Sequence, residues 1–292
     1  MDVTAQLADP DRDYRDPAEQ LSVGMFSNIY LGSLRSGTSV AIKSLRVAKI
    51  VFRGKIIDGW NPRPHINIAH ELYVRSQCIH PHILELIGAA EFQGRLATIS
   101  PVMENGDMYH FLAQNSDVNL CKMCSQLADA VTYLHRKDIA HGGIHLFNIM
   151  VSEDKEVKLA GFGGAILCNS PVEFEGYCVE NNHLLIWMAP ELQEGTHRQS
   201  LKSDVYALGV TILQIVTKAE NYRDSNGIET ELIGHLRTAP PRRAKTYLPS
   251  HNAEANRLWD MLTSCWRPDP NRRPTAAEVG NTVKSVSDVG LK

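Results

Sequence analysis

Apolar positions divide this chain into a strand-rich first third and a helix-rich remainder. Short apolar and β-branched runs at 28–31 and 39–42, separated by glycine and serine, predict two strands joined by a turn. Apolar residues at helical spacing predict a helix over 66–78, and two further strands are predicted at 83–86 and 96–102. The first third therefore has the pattern of a small sheet accompanied by one helix.

The remainder of the chain is dominated by helical periodicity. Apolar residues recur every three or four positions over 120–135, 258–265 and 276–286, which predicts amphipathic helices. The segment 203–216 is apolar on nearly every side, as expected of a buried helix. A pair of short strands is predicted within 149–160. A sheet-rich part followed by a helix-rich part predicts an α+β protein with two lobes and a cleft between them.

Two segments stand apart from this pattern. Residues 1–20 are charged and contain two prolines, so we expect a flexible N-terminal tail. Residues 46–64 combine an apolar run with glycines and prolines, and we interpret them as an insertion or a long loop before the helix. Within them, the apolar stretch 50–57 either covers a helix or docks a partner.

Composition excludes several functional classes. The chain has 292 residues, 43% of them hydrophobic, and a formal net charge of -3, so we expect neither nucleic-acid binding nor a polybasic membrane patch. It has no apolar run of the ~18 residues that a membrane span requires. Its acidic, polar start differs from a signal peptide. We therefore expect a reduced, soluble, cytoplasmic protein.

Two pairs of residues could be taken for metal sites, but each has a simpler interpretation. Cys121 and Cys124 form a CxxC inside a helical pattern, with no second pair at zinc-site spacing, which favours free thiols. His141 and His145 are four positions apart in a loop-like segment, where structural packing is the commoner role for histidine. We therefore predict no metal ligand.

Seven short motifs occur in an order that resembles the protein-kinase domain, and within it the tyrosine-kinase-like group. The resemblance covers about residues 21–287. One four-letter match would be weak, whereas seven in the correct order are specific. In chain order they are Val40-Ala41-Ile42-Lys43, His80-Pro81-His82-Ile83, Met103-Glu104-Asn105-Gly106, Met188-Ala189-Pro190-Glu191, Ser203-Asp204-Val205-Tyr206 with Gly209, Cys265-Trp266, and Asn271-Arg272-Arg273-Pro274.

The resemblance implies a bilobal α+β fold. A small antiparallel β-sheet lobe with one helix would extend over about 21–103, and a larger, mainly helical lobe over about 107–287. The resemblance also places Ser100 at the gatekeeper position and implies that Arg273 forms an ion pair with Glu191.

The resemblance further implies which residues would bind a nucleotide. Lys43 would hold the α- and β-phosphates and pair with Glu71, and Met103 would lie at the hinge. Gly24 is the glycine that remains of the phosphate-binding loop, and Asn148 matches the asparagine of the catalytic loop. These five residues are the predicted cofactor-binding positions.

The residues that perform phosphoryl transfer in this family are missing. The catalytic-loop aspartate, which accepts the proton of the substrate hydroxyl, corresponds to Gly143, and the aspartate of the Asp-Phe-Gly motif corresponds to Gly161. Ser22 and Ser27 stand where the phosphate-binding loop has glycine. Asn148 alone would offer magnesium one neutral oxygen, which is too little for a hard dication. We therefore predict no catalytic residue and no bound magnesium.

These losses predict a pseudokinase, an inactive member of the family that acts as a signalling scaffold or allosteric partner and binds ATP weakly, without metal. Its expected partners are other signalling proteins, such as an active kinase or its substrate. Two alternatives stay open. One is a sensor whose role is to bind the nucleotide, and the other is an active Ser/Thr or Tyr kinase in which His145 or a partner's carboxylate completes the site.

Overall fold

The chain folds into two compact units. The computed structural model describes residues 1–8, 20–23, 27–45, 49–52, 55–58, 64–168, 186–193, 198–218, 243 and 248–287. One unit consists of Met1–Ile79 with Leu84–Val102, and the other consists of His80–Ile83 with Met103–Lys292. Gly24 lies outside the described residues.

A five-stranded sheet is the centre of the first unit. The strands of this unit are β1 (Gln20–Val23), β2 (Ser27–Ser33), β3 (Ser39–Leu45), β4 (Lys49–Phe52), β5 (Lys55–Asp58), β6 (Gly88–Phe92) and β7 (Arg95–Pro101). The sheet has the order β1-β2-β3-β7-β6, and every neighbouring pair is antiparallel. Strands β4 and β5 form a separate hairpin, so the predicted insertion contains regular structure.

Alternation along β3 separates the two faces of the sheet. Val40 and Ile42 are 0% exposed and join Phe92 and Ile99 in an apolar cluster. Successive side chains of a strand point to opposite faces, so Lys43 faces away from this cluster. The β-branched pattern of β3 thus places an apolar core on one face and a lysine on the other.

Two residues of the segment 1–8 belong to this apolar cluster, so the predicted flexible tail does not hold for this segment. Val3 and Leu7 are each 1% exposed and pack within the cluster. The backbone is bonded to the edge strand β6, because Val3 N donates to Ala89 O at 2.8 Å and Ala89 N donates to Met1 O at 2.9 Å. The prediction gave weight to charge and proline and overlooked two apolar residues spaced to cover the sheet.

The predicted strand at 83–86 is wrong, and the strand of this region lies further along the chain. Ile83 makes only an isolated bridge to Leu159. Strand β6 has the sequence Gly-Ala-Ala-Glu-Phe, whose small residues have low strand propensity. It is a strand because β7 pairs with it, from Gly88 opposite Ile99 onward. Tertiary pairing therefore overrides local preference here.

One helix, α1 (Pro64–Ser76), accompanies the sheet, close to the prediction of 66–78. Its first residue is a proline, which is well tolerated there because the first N–H groups of a helix have no partner within it. Ile68 and Val74 are buried. The helix also carries Glu71 and Arg75, and both of these charged residues are buried.

The second unit is mainly helical. The helices among its described residues are α2 (Met108–Gln114), α3 (Leu120–Arg136), α4 (Pro190–Gln193), α5 (Leu201–Val216), α6 (Ala253–Cys265) and α7 (Ala276–Lys284). Two short antiparallel pairs complete it, β8 (Ile139–Ala140) with β11 (Ile166–Leu167), and β9 (Ile149–Val151) with β10 (Val157–Leu159). A small antiparallel sheet with one helix and a separate helical unit confirm the predicted α+β class.

Helix α5 is the buried centre of the second unit. Every residue from Ser203 to Val216 is buried, as the apolar pattern predicted. A capping box starts the helix, because Ser203 N donates to the Ser200 hydroxyl and Ser200 N donates to the Ser203 hydroxyl. Asp204 is a carboxylate within this apolar helix and is 1% exposed. A buried carboxylate needs hydrogen-bond or charged partners, which are described with the candidate site.

The described residues give no sign of a membrane span, a disulfide or a metal cluster. No helix among them is long and apolar enough to cross a bilayer. Their cysteines are free thiols, and Cys121 and Cys124 are both buried in α3. Within this same part of the chain, no group of three or more His, Cys, Asp or Glu side chains is placed to hold a metal ion.

Candidate functional site

Lys43 on β3 and Glu71 on α1 form a close ion pair within the first unit. Lys43 Nζ lies 3.0 Å from Glu71 Oε1 and 2.9 Å from Oε2. The Glu71 side chain is 4% exposed and the Lys43 side chain 25%. A buried carboxylate is stable in its charged form only when it is paired, and Lys43 provides that partner. The structure thus brings together two of the predicted nucleotide-binding residues.

Arg75 is a buried cation one helical turn after Glu71, and no functional role was predicted for it. Its Nη1 lies 3.7 Å from Glu71 Oε1, and both side chains are 4% exposed. Its Nη2 donates to the carbonyls of Leu84 and Glu85 at 3.3 and 3.0 Å and to Ser100 Oγ at 2.8 Å. Burial lowers the pKa of Arg75, and Glu71 opposes that shift. The i, i+4 spacing of Glu71 and Arg75 was the available sequence signal.

Asp204 fixes the loop that contains Gly143 in the second unit. Its carboxylate accepts hydrogen bonds from His141 N at 2.7 Å and Gly142 N at 2.9 Å. Gly142 has a φ of +68°, and a β-carbon there would collide with the backbone of Gly164, so the position requires glycine. The loop therefore has a defined conformation even though it lacks the aspartate.

The side chain of Asn148 fills the space between Gly143 and Gly161. Its Nδ2 donates to Gly143 O at 2.9 Å and lies 2.9 Å from His145 Nε2. A β-carbon at Gly161 would overlap the Asn148 amide, whereas one at Gly143 would lie 3.1 Å from Nδ2, a tight contact. An aspartate at residue 161 would therefore require the Asn148 amide to shift, whereas the position of the catalytic aspartate is only crowded.

His145 is held in its neutral form. Burial lowers its pKa to about 3, and the nearby His141 adds to the shift. The neutral Nε2 accepts from the Asn148 amide, which leaves the ring proton on Nδ1. The ring packs against Trp187 with the ring centroids 5.3 Å apart. A base with a pKa this low accepts a proton poorly at neutral pH.

Glu191 and Arg273 form the ion pair that the resemblance implied. Arg273 Nη1 and Nη2 donate to the two carboxylate oxygens of Glu191, each at 2.7 Å. The Arg273 side chain is 0% exposed and also donates to the backbone carbonyls of Arg267 and Lys202. This fork geometry is the strong form of an arginine–carboxylate pair, and it joins α4 to the segment before α7.

Comparison with known proteins identifies the family. The family model described as protein tyrosine and serine/threonine kinase matches residues 16–283. The chain belongs to this family.

Three relatives show how far the similarity extends. A probable serine/threonine-protein kinase of Dictyostelium discoideum is 26% identical over 273 residues, which cover 92% of this chain and 27% of that protein. The mitogen-activated protein kinase kinase kinase YODA of Arabidopsis thaliana is 26% identical over 267 residues, or 89% of this chain and 28% of that protein. The tyrosine-protein kinase HTK16 of Hydra vulgaris is 26% identical over 271 residues, or 90% and 33%. This kinase domain therefore spans about a third or less of the length of these relatives.

The residues of this kinase domain do not fit a magnesium ion. Family members hold magnesium with the aspartate of the Asp-Phe-Gly motif and the asparagine of the catalytic loop. Here these positions are Gly161 and Asn148, and the Asn148 amide nitrogen is already bonded to Gly143 O. One neutral amide oxygen remains, whereas magnesium prefers carboxylates and phosphates in octahedral geometry.

The remaining predicted residues are placed within their own units. Phe162 of the Gly-Phe-Gly motif is 0% exposed and packs edge-on against His141 with ring centroids 4.7 Å apart. Met103, predicted at the hinge of the kinase domain, is partly buried, and its carbonyl accepts from Gly106 N at 3.0 Å. Gly24 lies outside the described residues.

Proposed function

We propose that this protein-kinase domain transfers no phosphate and acts as a pseudokinase, a signalling scaffold or allosteric partner. The observation that carries the proposal is glycine at residue 161, which leaves the amide of Asn148, already bonded to the Gly143 carbonyl, as the remaining metal ligand of the family motif. Phosphoryl transfer needs a dication to neutralise charge on the transferred group, and glycine offers that ion no ligand.

Magnitudes support the proposal even if only one of the two losses is counted. A missing general base typically costs about 10²–10⁴-fold in rate. A missing metal removes several kcal/mol of charge stabilisation, and each ~1.4 kcal/mol is tenfold in rate. Both losses act on one transition state, so their effects do not simply add. The smaller loss alone would leave a poor kinase.

The features that maintain a kinase-type surface are intact, which favours a binding role. Asp204 holds the backbone of the former catalytic loop, and the buried Glu191–Arg273 pair secures the region around α4. A scaffold needs these structural contacts and needs no transfer chemistry. We propose other signalling proteins as the partners, such as an active kinase or its substrate, and the cytoplasm as the compartment.

The deciding experiment is transfer of labelled phosphate from ATP by the purified protein. Incorporation is measured with magnesium or manganese, both into the protein itself and into a peptide mixture containing Ser, Thr and Tyr. The Lys43→Met variant, prepared identically, reports contaminating kinases. We expect equal incorporation by the two proteins. Incorporation by the wild-type protein that clearly exceeds that of Lys43→Met would overturn the proposal.

A second candidate function is weak binding of ATP without metal. It is favoured by the Lys43–Glu71 pair, which keeps a lysine ammonium in place for phosphate. Thermal unfolding with ATP, with and without magnesium, tests it. We expect ATP to stabilise the protein without magnesium, and a shift that appears only with magnesium would contradict both this function and the absence of a metal site.

The alternative of an active kinase with an unusual site has less support. His145 is the nearest candidate base, but its pKa of about 3 makes it a poor proton acceptor at neutral pH. A carboxylate donated by a partner would still have to find room beside Asn148. This alternative predicts labelled phosphate transfer that is lost in Lys43→Met, the opposite of the result expected above.

A further inference from the structure

We infer that Arg75 supplies a fixed positive charge beside Lys43, so that this domain binds a polyphosphate in its metal-free form in preference to the magnesium complex. The inference rests on the metal-free nucleotide binding proposed above and names the charge that makes it possible. Arg75 is a positioning residue in this role, because it acts through Glu71 and Lys43.

The charges of this cluster do not balance. Lys43 and Arg75 both pair with Glu71, and in the described part of the chain no other carboxylate pairs with either of these two cations. Among the described residues this cluster holds two cations and one anion, a net charge of about one positive unit in a mostly buried place. An ordinary Lys–Glu pair would be neutral, so Arg75 is the source of the excess.

Of the two cations, Lys43 is the one that solvent can reach. Arg75 is held at the back by three acceptors, the carbonyls of Leu84 and Glu85 and the hydroxyl of Ser100. Its side chain is 4% exposed, whereas that of Lys43 is 25% exposed. The guanidinium therefore neutralises much of the Glu71 carboxylate from within, and the Lys43 ammonium remains available to an anion that approaches from solvent.

Ser100 at the gatekeeper position makes this arrangement possible. Its side chain is small, and its hydroxyl accepts from Arg75 Nη2 at 2.8 Å in a buried contact. A large apolar side chain at residue 100 would offer no acceptor and would take the space of the guanidinium. The hydrogen bond between Ser100 and Arg75 thus helps to hold the guanidinium in place beside Lys43.

A fixed cation changes which form of the nucleotide is preferred. Metal-free ATP carries about four negative charges near neutral pH, and magnesium removes about two of them. Charges that are poorly screened by water interact strongly at these distances, so a site with an excess positive charge and no metal ligands favours the more negative form. A kinase site built around magnesium has the opposite preference.

The test is the affinity of the whole chain for ATP, measured by calorimetry at low salt in EDTA and again in excess magnesium. We compare the wild-type protein with Arg75→Met, Arg75→Lys and Ser100→Ala. The methionine removes the charge at similar volume, the lysine keeps it, and the alanine removes one acceptor without changing charge. Inorganic triphosphate serves as a second probe that lacks the nucleoside.

We expect metal-free ATP to bind the wild-type protein more tightly than the magnesium complex. We expect Arg75→Met to weaken metal-free binding about tenfold, the order of effect for one poorly screened charge, and to reverse the preference. Arg75→Lys should stay within about threefold of the wild-type protein, and Ser100→Ala, which leaves Arg75 its two carbonyl acceptors, should weaken binding less than Arg75→Met does. Triphosphate should follow the same order. Equal binding by wild-type protein and Arg75→Met would overturn the inference and leave metal-free binding intact.

A failure of Arg75→Met to fold, and a failure of the wild-type protein to bind ATP, are each distinguished from the inference as follows. If Arg75→Met does not fold, Glu71→Gln replaces it. That variant adds one positive unit while keeping an acceptor for Lys43, so we expect tighter metal-free binding, and weaker binding would overturn the inference. If the wild-type protein binds no ATP in EDTA, the inference and metal-free binding both fail, while the labelled-phosphate assay still decides inactivity.

Discussion

The amide of Asn148 lies where a side chain at Gly161 would begin. Because Asn148 also donates to the Gly143 carbonyl, one side chain connects both positions at which the family has a catalytic aspartate. The amide of Asn148 therefore occupies the space between Gly143 and Gly161. An aspartate at residue 161 would require the Asn148 side chain to change its conformation.

The first prediction concerns the stability of Gly161→Ala. The added β-carbon overlaps Asn148, and Gly161 has a φ of +78°, which is unfavourable for alanine. Gly106→Ala is the matched control, because Gly106 has a φ of +65° and nothing within 4 Å of an added β-carbon. We expect urea unfolding to show Gly161→Ala about 2 kcal/mol less stable than Gly106→Ala.

Asn148→Ala completes this comparison as a double-mutant cycle. If overlap with Asn148 causes the extra loss, Gly161→Ala should cost about as little as Gly106→Ala when residue 148 is alanine. Equal costs of Gly161→Ala in both backgrounds would show that Asn148 does not close the position.

The second prediction is that Gly143→Asp combined with Gly161→Asp restores no kinase activity. The carboxylate at 161 cannot take its position while Asn148 is bonded to the Gly143 carbonyl. We expect labelled phosphate incorporation no higher than in the same double variant carrying Lys43→Met. A gain of tenfold or more that Lys43→Met abolishes would show that the site rearranges readily.

Helix positions could be predicted from the sequence because periodicity is a local signal. Apolar spacing gave α3 and α5 to within a few residues of Leu120–Arg136 and Leu201–Val216. Strand β6 was missed because its small residues have little preference of their own and it forms by pairing with β7. The local sequence pattern predicts a helix or strand only when the residues of that element themselves favour it.

The candidate site was only partly predictable, for a related reason. Motif order predicted Lys43 and the missing aspartates at Gly143 and Gly161, and the family resemblance implied Glu71 as the partner of Lys43. The overlap of Asn148 with the Gly161 position depends on the packing of two segments, and no spacing along the chain encodes it. The same holds for the buried contact between Arg75 and Ser100, where a charged residue on a helix would ordinarily be assigned to the surface.

The third prediction is a loss of stability in acid that depends on His145. Burial lowers its pKa from 6.5 to about 3, so between these values the unfolded chain binds the proton and the folded protein does not. Stability contributed by neutral His145 is therefore complete above pH 6.5 and is lost as the pH falls towards 3. From pH 7.5 to pH 5 we expect a loss of about 1–2 kcal/mol from this residue.

His145→Gln isolates this effect, because glutamine still accepts from the Asn148 amide and does not titrate. We expect the wild-type protein to lose more stability than the variant between pH 7.5 and pH 5 in urea unfolding. His80 and His82 also have pKa values lowered by burial, and their contribution is common to both proteins. Equal losses in the two proteins would contradict a buried neutral His145.

The fourth prediction concerns the N-terminal segment. Leu7 is 1% exposed in the apolar cluster of the sheet, so Leu7→Ala should lower the free energy of unfolding by about 2–4 kcal/mol. Gln6→Ala is the control, because Gln6 is exposed and next in the chain. Urea unfolding of the two variants checks the prediction, and a cost for Leu7→Ala no greater than that for Gln6→Ala would restore the view of a mobile tail.

The fifth prediction separates a buried ion pair from an exposed one. Arg273→Met leaves Glu191, whose side chain is 11% exposed, without its partner, and should destabilise the domain by about 3–5 kcal/mol. Lys284→Met breaks the Lys284–Asp129 pair, whose side chains are 51% and 38% exposed, and should cost less than about 1 kcal/mol. Adding Glu191→Gln to Arg273→Met should recover part of the loss, because the uncompensated charge is then removed. Urea unfolding checks the prediction. If Lys284→Met and Arg273→Met showed the same small loss of stability, the Glu191–Arg273 pair would not be what stabilises this part of the domain.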